Sequence, residues 1–445
     1  MVSSSQKSGK TQSGGIGLIT CLSLVTATMV GTGVYTSLGF QLLDLRSGFS
    51  ILVLWALGGA ISLCGALSYA ELAAQIPRSG GEYTYLSEIY HPAVGFMAGF
   101  VSLIAGFAAP IAIAAIAFGT YLHAALPACP AHVSSFLAVL LLSAGHLRTL
   151  RFSSMTQNAM TALKFLLIGL FLLIGLWNIL SHPDSVRLFS PRHDTLRELL
   201  RPDAGIALLF VLYAYSGWNA SSYLAGEVRD SQRTVGRSLI LGTALVTLLY
   251  VMLNGIFLTS APAAELRGVL NVGSIAANHL IGPVGGCIMS GMIALGLLAS
   301  ISAMIWAGPR VTQRIGQDHA LFAPLGKTTR GGIPVRATLL QMAIILIMIA
   351  TGSFESVLLY SQTPLLLCLI LGVGGIIVLR LRRLNRGGFH CPLYPLPPLV
   401  FILCTTAGLV YSACSKPWIA LAGILTMMIP LVIYPWIERL TQRKP

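Results

Sequence analysis

Charged side chains are scarce in this chain. Asp, Glu, Lys and Arg together make up 9 % of its 445 residues, whereas apolar residues make up 55 %. A soluble globular domain carries about 25 % charged residues, so this composition excludes a soluble protein. A hydrocarbon core about 30 Å thick requires about 20 apolar residues per helix. The composition therefore predicts an all-α membrane protein whose helical spans use up nearly the whole chain.

Closely spaced cysteines are also missing. The eight cysteines are scattered, mostly within apolar runs, and none forms a C-x-x-C pair. Neither a disulfide framework nor a zinc site is supported, so we predict no metal and no cofactor. The apolar run after the polar residues 1–13 is too long for a signal peptide and lacks a small-residue cleavage site. We interpret it as the first retained span.

Twelve apolar segments have the length and composition expected of transmembrane helices. They cover residues 16–40, 48–76, 92–124, 133–147, 155–180, 204–226, 236–260, 272–308, 334–351, 355–380, 396–414 and 417–437. The fourth segment is short, and the eighth is long enough to tilt or to extend beyond the bilayer.

The positive charges are distributed unevenly between the two sides of this arrangement. With the N-terminus inside, 20 of the 28 Lys and Arg residues lie in inner segments and 7 lie in outer segments. This is the distribution that the positive-inside rule requires, and it predicts that both termini are cytoplasmic. It also explains the net charge of +14 without a nucleic-acid partner.

Two of the predicted helices are interrupted at mid-depth. The first span contains Gly31-Thr32-Gly33, and the sixth contains Gly, Ser and Asn within residues 213–219. Glycine in one membrane helix alone more often serves close packing. Interruptions at matching positions in two five-helix halves are typical of a transporter substrate site. The half-helices would offer N–H groups to a carboxylate, and free carbonyls could receive an ammonium group.

Lys164 is the one Lys or Arg residue in the interior of a predicted span, away from the span ends. It lies about nine residues into that span, or about 13 Å along the helix axis, which is deeper than snorkelling to the interface explains. No acidic residue occurs in the middle of any span to neutralise it. We therefore predict an inward-facing lysine with carbonyl and hydroxyl partners, such as those of the broken first span. A lysine in this position is also a candidate for proton exchange.

Four stretches of the chain carry a family resemblance. They are residues 31–35 (Gly-Thr-Gly-Val-Tyr), residues 69–72 followed by 77–83, residues 213–219 continuing to 226–228, and residues 307–310. Their order and spacing resemble those of amino acid permeases of the amino acid–polyamine–organocation (APC) superfamily, closest to its L-type amino acid transporter-like members. The resemblance covers roughly residues 15–440. It departs from the family at Thr36-Ser37-Leu38-Gly39, where many members have a proline.

The resemblance implies a LeuT-like fold, in which two inverted repeats of five helices precede two C-terminal helices. It also implies alternating access around a central site. The implied organisation is a cytoplasmic N-terminal tail (1–15), the first repeat (16–180), the second repeat (204–380), the last two spans (396–437) and a cytoplasmic tail (438–445).

The same resemblance implies the residues of the site. The implied substrate-binding residues are Met29, Gly31, Thr32, Gly33, Tyr213, Ser216, Gly217 and Asn219. Thr32 and Gly33 would bind the substrate carboxylate, and carbonyls near residues 213–216 would bind its amine.

A second group of residues is implied for ion coupling. Lys164 matches a fifth-span lysine that occupies the place of a coupling sodium in related permeases. Ser300 and Ser302 lie where the ligands of that sodium would be. The lysine argues against sodium coupling, because its ammonium group and Na⁺ would compete for the same binding site.

The substrate class follows from the acidic residues. Superfamily members that carry cationic amino acids or polyamines need a buried carboxylate for the second positive charge. The third span has no Asp or Glu, Asn219 is neutral, and Glu71 is interpreted as a loop-anchoring surface acid. We therefore predict a sodium-independent secondary transporter of neutral amino acids in the plasma membrane, either a proton-linked symporter or an exchanger. The pocket volume depends on how Met29, Pro110, Tyr213, Trp218 and Tyr360 pack, so the particular amino acid stays open, as does the oligomeric state.

Other functions stay open at this point. They are a cationic amino acid or polyamine antiporter of the same superfamily, a polytopic membrane enzyme, and a channel or amino acid sensor. An enzyme should present catalytic groups at one membrane face, but six of the nine histidines lie in loops or at span ends, without H-E-x-x-H spacing. The predicted partners are an amino acid and membrane lipid, with no nucleic acid.

Overall fold

The computed structural model describes residues 15–148, 150–181, 195–269, 271–351, 354–383, 388–415 and 417–442. Regular structure in these residues is helical, and one isolated bridge joins Ile16 to Val228. Residues 1–14 and 443–445 of the predicted cytoplasmic tails lie outside the described residues, as do residues 182–194 between the fifth and sixth predicted spans.

The first half of the described chain forms eight helices. They are α1 (Leu18–Met29), α2 (Gly33–Asp44), α3 (Gly48–Gln75), α4 (Glu82–Ile89), α5 (Pro92–Val101), α6 (Ala109–Ala125), α7 (Ala131–His146) and α8 (Leu150–Ser181). A π-helical segment, Ser102–Ala108, joins α5 to α6 and keeps the third span continuous.

The second half continues in the same way, with a 3₁₀ segment, Ala220–Glu227, between α10 and α11. The helices of the described residues are α9 (Thr195–Leu199), α10 (Pro202–Ala214), α11 (Ser231–Ser260), α12 (Ala263–Leu266), α13 (Val272–Ile281), α14 (Pro283–Ala307), α15 (Pro309–Asp318), α16 (Ala323–Gly326), α17 (Val335–Thr351), α18 (Phe354–Leu381), α19 (Leu396–Ser415) and α20 (Pro417–Gln442).

Within the described ranges, eight helical segments are long and apolar enough to cross a membrane. The other four predicted spans correspond to α7, α17 and the apolar part of α19 (Leu396–Tyr411), which are shorter, and to α10 with its 3₁₀ continuation. Each of the twelve predicted spans therefore coincides with helix, and the prediction of an all-α membrane protein is confirmed.

The eighth predicted span, 272–308, is wrong at both ends. Gly282 separates α13 from α14 with a φ of 78°, a left-handed conformation that suits glycine. Pro283 then begins α14, where its missing N–H costs nothing. The span itself is α14, and it continues past Gly308 into α15. A hydropathy profile alone does not distinguish one long apolar helix from two apolar helices that are joined at a Gly-Pro sequence.

Glu71 joins α3 to the segment that precedes α19. Its carboxylate accepts hydrogen bonds from Arg380 at 2.9 and 2.6 Å and from the backbone N–H of Cys391 at 2.6 Å. It anchors a loop, as predicted, but with 3 % of its surface exposed it is a buried residue and not a surface acid. Burial raises the pKa of the Cys391 thiol to about 11, so this thiol stays protonated at neutral pH.

We expect Glu71→Ala to lower the free energy of unfolding by about 3 kcal/mol, because it leaves the Arg380 guanidinium and the Cys391 N–H without their acceptor. Thermal unfolding of the purified variant in detergent measures this effect. Glu438→Ala, which removes an exposed acid of α20, is the matched control. Equal melting temperatures for the two variants would contradict the anchoring role.

Candidate substrate site

The first helix break lies between α1 and α2. α1 ends at Met29 and α2 begins at Gly33, so residues 30–32 connect two half-helices. The first N–H groups of α2 and the last carbonyls of α1 have no partner within their own helix. The break therefore places a positive and a negative helix end side by side.

The second break lies between α10 and the 3₁₀ segment. Gly217 has a φ of 96°, a conformation that L side chains rarely adopt. A Cβ added at Gly217 would lie 2.6 Å from Cγ2 of Thr28, and one added at Gly33 would lie 2.6 Å from Cα of Ala214. The two breaks are therefore in direct contact, and glycine permits this contact from both sides.

A cavity of about 70 Å³ lies between the two breaks. It is lined by all eight residues for which substrate contact is predicted: Met29, Gly31, Thr32, Gly33, Tyr213, Ser216, Gly217 and Asn219. Gly106 and Phe107 of the π-helical segment and Pro110 of α6 also line it. Single π-helical turns are frequent at functional sites, and this one had no signal in the sequence.

The wall of the cavity contains polar groups but no charged side chain among the described residues. Among the residues that the structure describes, no Asp, Glu, Lys or Arg lines it. Its polar side chains include the hydroxyls of Thr28, Thr32 and Ser216 and the amide of Asn219. A zwitterion in this cavity would therefore meet its counter-charges on the backbone, at the N–H groups of α2 and at carbonyls of the breaks.

Lys164 of α8 lies behind the first break, with 2 % of its surface exposed. Its Nζ donates hydrogen bonds to the carbonyls of Ala27 (3.2 Å) and Val30 and to Oγ of Ser300 (2.7 Å). Ser300 in turn donates to the Val30 carbonyl at 2.7 Å and also lines the cavity. These are the carbonyl and hydroxyl partners that the sequence predicts for the lysine, and they lie at the negative end of α1.

Ser302 does not join this group. Its Oγ lies 2.8 Å from Nε2 of His146, at the end of α7. Residues two positions apart on an α-helix point about 200° apart, so Ser300 and Ser302 face different neighbours. The prediction that Ser302 belongs to the lysine site is therefore wrong.

Two of the aromatic residues expected to set the pocket volume lie elsewhere. Trp218 packs edge-on against Tyr69, with ring centroids 4.9 Å apart. The hydroxyl of Tyr360 lies 2.6 Å from Oγ1 of Thr426. Neither aromatic side chain lines the cavity, whereas Met29, Pro110 and Tyr213 do.

Tyr250 of α11 joins the two breaks, and sequence reasoning missed it. Its hydroxyl oxygen lies 2.6 Å from the carbonyl oxygen of Met29 and 3.0 Å from that of Ala214. Met29 is the last residue of α1, and Ala214 is the last residue of α10. A single tyrosine within an apolar span is typical of a helix core, so the sequence held no signal for this contact.

Glu82, at the start of α4, is a second residue whose contacts the sequence did not show. Its carboxylate accepts hydrogen bonds from the hydroxyl of Tyr69 (2.9 Å), from Nδ2 of Asn219 (2.5 Å) and from the hydroxyl of Tyr223. Asn219 and Tyr223 both line the cavity. The sequence presented Glu82 only as part of the motif at residues 77–83.

We expect Gly31→Ala to weaken substrate affinity about tenfold without changing stability. A Cβ at Gly31 would have only the Met29 carbonyl within 4 Å, at 3.9 Å, so the added methyl group would occupy cavity space without a clash. Substrate-induced thermal shifts of the purified variant measure the affinity. Gly17→Ala, at a position with nothing within 4 Å, is the control. Unchanged affinity in Gly31→Ala would place the substrate elsewhere.

The fold is that of a helical membrane protein with a central cavity between two broken helices. The chain belongs to the amino acid permease family, whose model matches residues 16–434.

Individual relatives agree with this assignment. The chain is 28 % identical over 395 residues to the serine/threonine exchanger SteT of Bacillus subtilis, covering 87 % of this chain and 88 % of that protein. It is 24 % identical over 430 residues to the b(0,+)-type amino acid transporter 1 of Mus musculus, covering 94 % and 87 %. It is 26 % identical over 436 residues to the large neutral amino acids transporter small subunit 2 of Homo sapiens, covering 94 % and 79 %. The family and these relatives are amino acid transporters.

Proposed function

We propose that this protein is a secondary transporter that carries neutral amino acids across the plasma membrane by alternating access. The observation that carries the proposal is the uncharged cavity between the two helix breaks. Backbone N–H groups and carbonyls there match the carboxylate and ammonium groups common to all amino acids. A further charge on the substrate side chain would meet no opposite charge among the described lining residues, and an unpaired buried charge is costly.

The polar groups of the cavity wall favour a polar substrate side chain. The hydroxyl of Ser216 and the amide of Asn219 can each form a hydrogen bond with such a side chain. The relative SteT is named as a serine/threonine exchanger, which supports small polar substrates and exchange as the mode of transport.

The position of Lys164 supports sodium independence. Its ammonium group occupies a site formed by two carbonyl oxygens of the first break and by the Ser300 hydroxyl. These oxygens are the kind of ligands that a sodium ion would require, and the ammonium group excludes the ion from them. Transport would then be driven by amino acid exchange or by a proton.

We also propose the topology that the sequence predicts. Residues 16–180 and 204–380 would form the two inverted repeats, and residues 396–437 the last two spans. The equivalent placement of the breaks in the first and sixth spans supports the repeats. The excess of Lys and Arg in the predicted inner loops supports cytoplasmic termini.

Uptake into proteoliposomes tests the proposal. Labelled serine, alanine, leucine, lysine and arginine would be tested with and without internal amino acid, with and without a proton gradient, and with Na⁺ replaced by K⁺. We expect saturable uptake of neutral amino acids that internal amino acid accelerates and that Na⁺ does not affect. Uptake of lysine and arginine alone would instead favour the cationic antiporter. Flux without saturation would indicate a channel, and binding without uptake a sensor.

A further inference from the structure

Glu82 is a buried carboxylate directly behind the wall of the cavity. Only 1 % of its surface is exposed, and its three hydrogen-bond donors, Tyr69, Asn219 and Tyr223, are all neutral. It does not line the cavity itself, so it does not meet the substrate. Its contact with the site passes through Asn219 and Tyr223.

The start of α4 is held against the 3₁₀ segment, which contains Tyr223 and directly follows Asn219. Gly81 has a φ of 54°, and a Cβ added there would lie 2.4 Å from Cε1 of Tyr223. Only glycine allows this approach, because any larger residue would strain the backbone and push the tyrosine ring away. The short distance from Glu82 to Asn219 is therefore built into the backbone.

The carboxylate fixes which way the Asn219 amide points. Asn219 turns its NH₂ group toward Glu82, because that group is the part of the amide that can donate a hydrogen bond. The Nδ2 atom accordingly lies 2.5 Å from Oε1 of Glu82 and 3.4 Å from the hydroxyl of Tyr223. The carbonyl oxygen of the amide lies on the opposite side of Cγ. Asn219 is among the residues that line the cavity, and its carbonyl oxygen is the amide atom that Glu82 does not engage.

We propose that Glu82 is a positioning residue that presents the Asn219 carbonyl oxygen to the cavity, so that the transporter prefers amino acids whose side chain ends in a hydroxyl donor. This inference rests on the proposed function and deepens it. The two charged ends of the substrate are matched by backbone groups at the breaks. Asn219 lies two residues after Gly217, and its neutral carbonyl oxygen therefore suits a neutral hydrogen-bond donor on the side chain of the substrate.

Serine and 3-fluoroalanine form the decisive pair of substrates, because hydroxyl and fluorine are close in size but only the hydroxyl donates. Inhibition of labelled alanine uptake into proteoliposomes measures both affinities, and alanine itself is the reference without a polar side chain. We expect the wild type to bind serine at least about tenfold more tightly than 3-fluoroalanine, since a carbonyl facing fluorine leaves a buried acceptor unpaired.

Glu82→Gln tests the role of the carboxylate. Glutamine can donate as well as accept, so either orientation of the Asn219 amide becomes possible. We expect the preference for serine to fall about fivefold, with the KM and kcat for alanine unchanged. Glu88→Gln, on the same helix and paired with Arg78, is the control and should keep the wild-type preference.

The exchanged pair Glu82→Gln with Asn219→Asp provides a rescue. The amide at position 82 would then donate to the carboxylate at position 219, whose second oxygen again faces the cavity as an acceptor. We expect this double variant to recover the preference for serine. The double variant has the same number of buried carboxylates and of hydrogen-bond donors at the two positions as the wild type. Its failure to fold would therefore count against the inference.

Other results would overturn the inference directly. Equal wild-type affinity for serine and 3-fluoroalanine would show that no acceptor faces the side chain. An unchanged preference in Glu82→Gln would show that the carboxylate does not set it, and a parallel rise of the alanine KM would place Asn219 at the ammonium group. In each case the wild type still transports amino acids, whereas a wild type without any uptake would overturn the proposed function as well.

Discussion

Replacement of Lys164 by alanine is expected to reduce amino acid uptake at least about tenfold while the protein stays folded in detergent. The change removes the ammonium donor from the carbonyls of Ala27 and Val30 and from the Ser300 hydroxyl. A hydrogen bond to a charged group contributes about 1.5 kcal/mol or more, and about 1.4 kcal/mol corresponds to a factor of ten. Folding is retained because the variant no longer has to bury a charge.

Uptake into proteoliposomes at several pH values measures this effect, and size-exclusion elution verifies folding. Lys327→Ala, which removes an exposed lysine, is the matched control and should transport like the wild type. Wild-type uptake with an unchanged pH profile in Lys164→Ala would refute a coupling role for the lysine.

Gly33→Leu is expected to abolish substrate binding. A Cβ at this position would lie 2.6 Å from Cα and 2.7 Å from Cβ of Ala214, so even a methyl group would force the two breaks apart. A leucine would separate them further and fill the cavity between them. The loss should exceed that in Gly31→Ala, where the added methyl group meets no neighbouring chain.

Substrate-induced thermal shift and uptake both report on this variant. Gly169→Leu is the control, because position 169 of α8 has no atom within 4 Å of an added Cβ. Normal substrate affinity in Gly33→Leu would show that the first span does not form the substrate site. Loss of binding in both leucine variants would point to a general effect of the bulky residue.

The two breaks were visible in the sequence because irregular backbone stands out in a membrane protein, and the family resemblance then implied the residues of the site. Glycines flanking Thr32 and the polar run near Ser216 stand out against apolar helices, since broken helices are tolerated only at protected positions. Lys164 stood out for a related reason, as a charge at depth requires a specific set of partners. All eight predicted substrate residues line one cavity, although their individual roles stay predictions.

The residues that the sequence did not reveal form hydrogen bonds with partners that are far away in the sequence. Glu82 reaches Asn219 over 137 positions, and Tyr250 reaches Met29 over 221. Helices that are apolar on every side carry no periodic pattern that shows which face meets which neighbour. The family resemblance grouped Ser302 with Ser300, although Ser302 faces His146.

The Tyr250 hydroxyl has consequences for how the two broken helices can move. One side chain contacts the last carbonyl of each half-helix, and Gly33 rests directly on Ala214. Independent sliding of either helix would lose one of these contacts. We therefore expect α1 and α10 to move together as one rigid body relative to the π-helical segment Ser102–Ala108. Spin labels on these two helices should then keep a constant spacing during turnover, while their distances to α6 change.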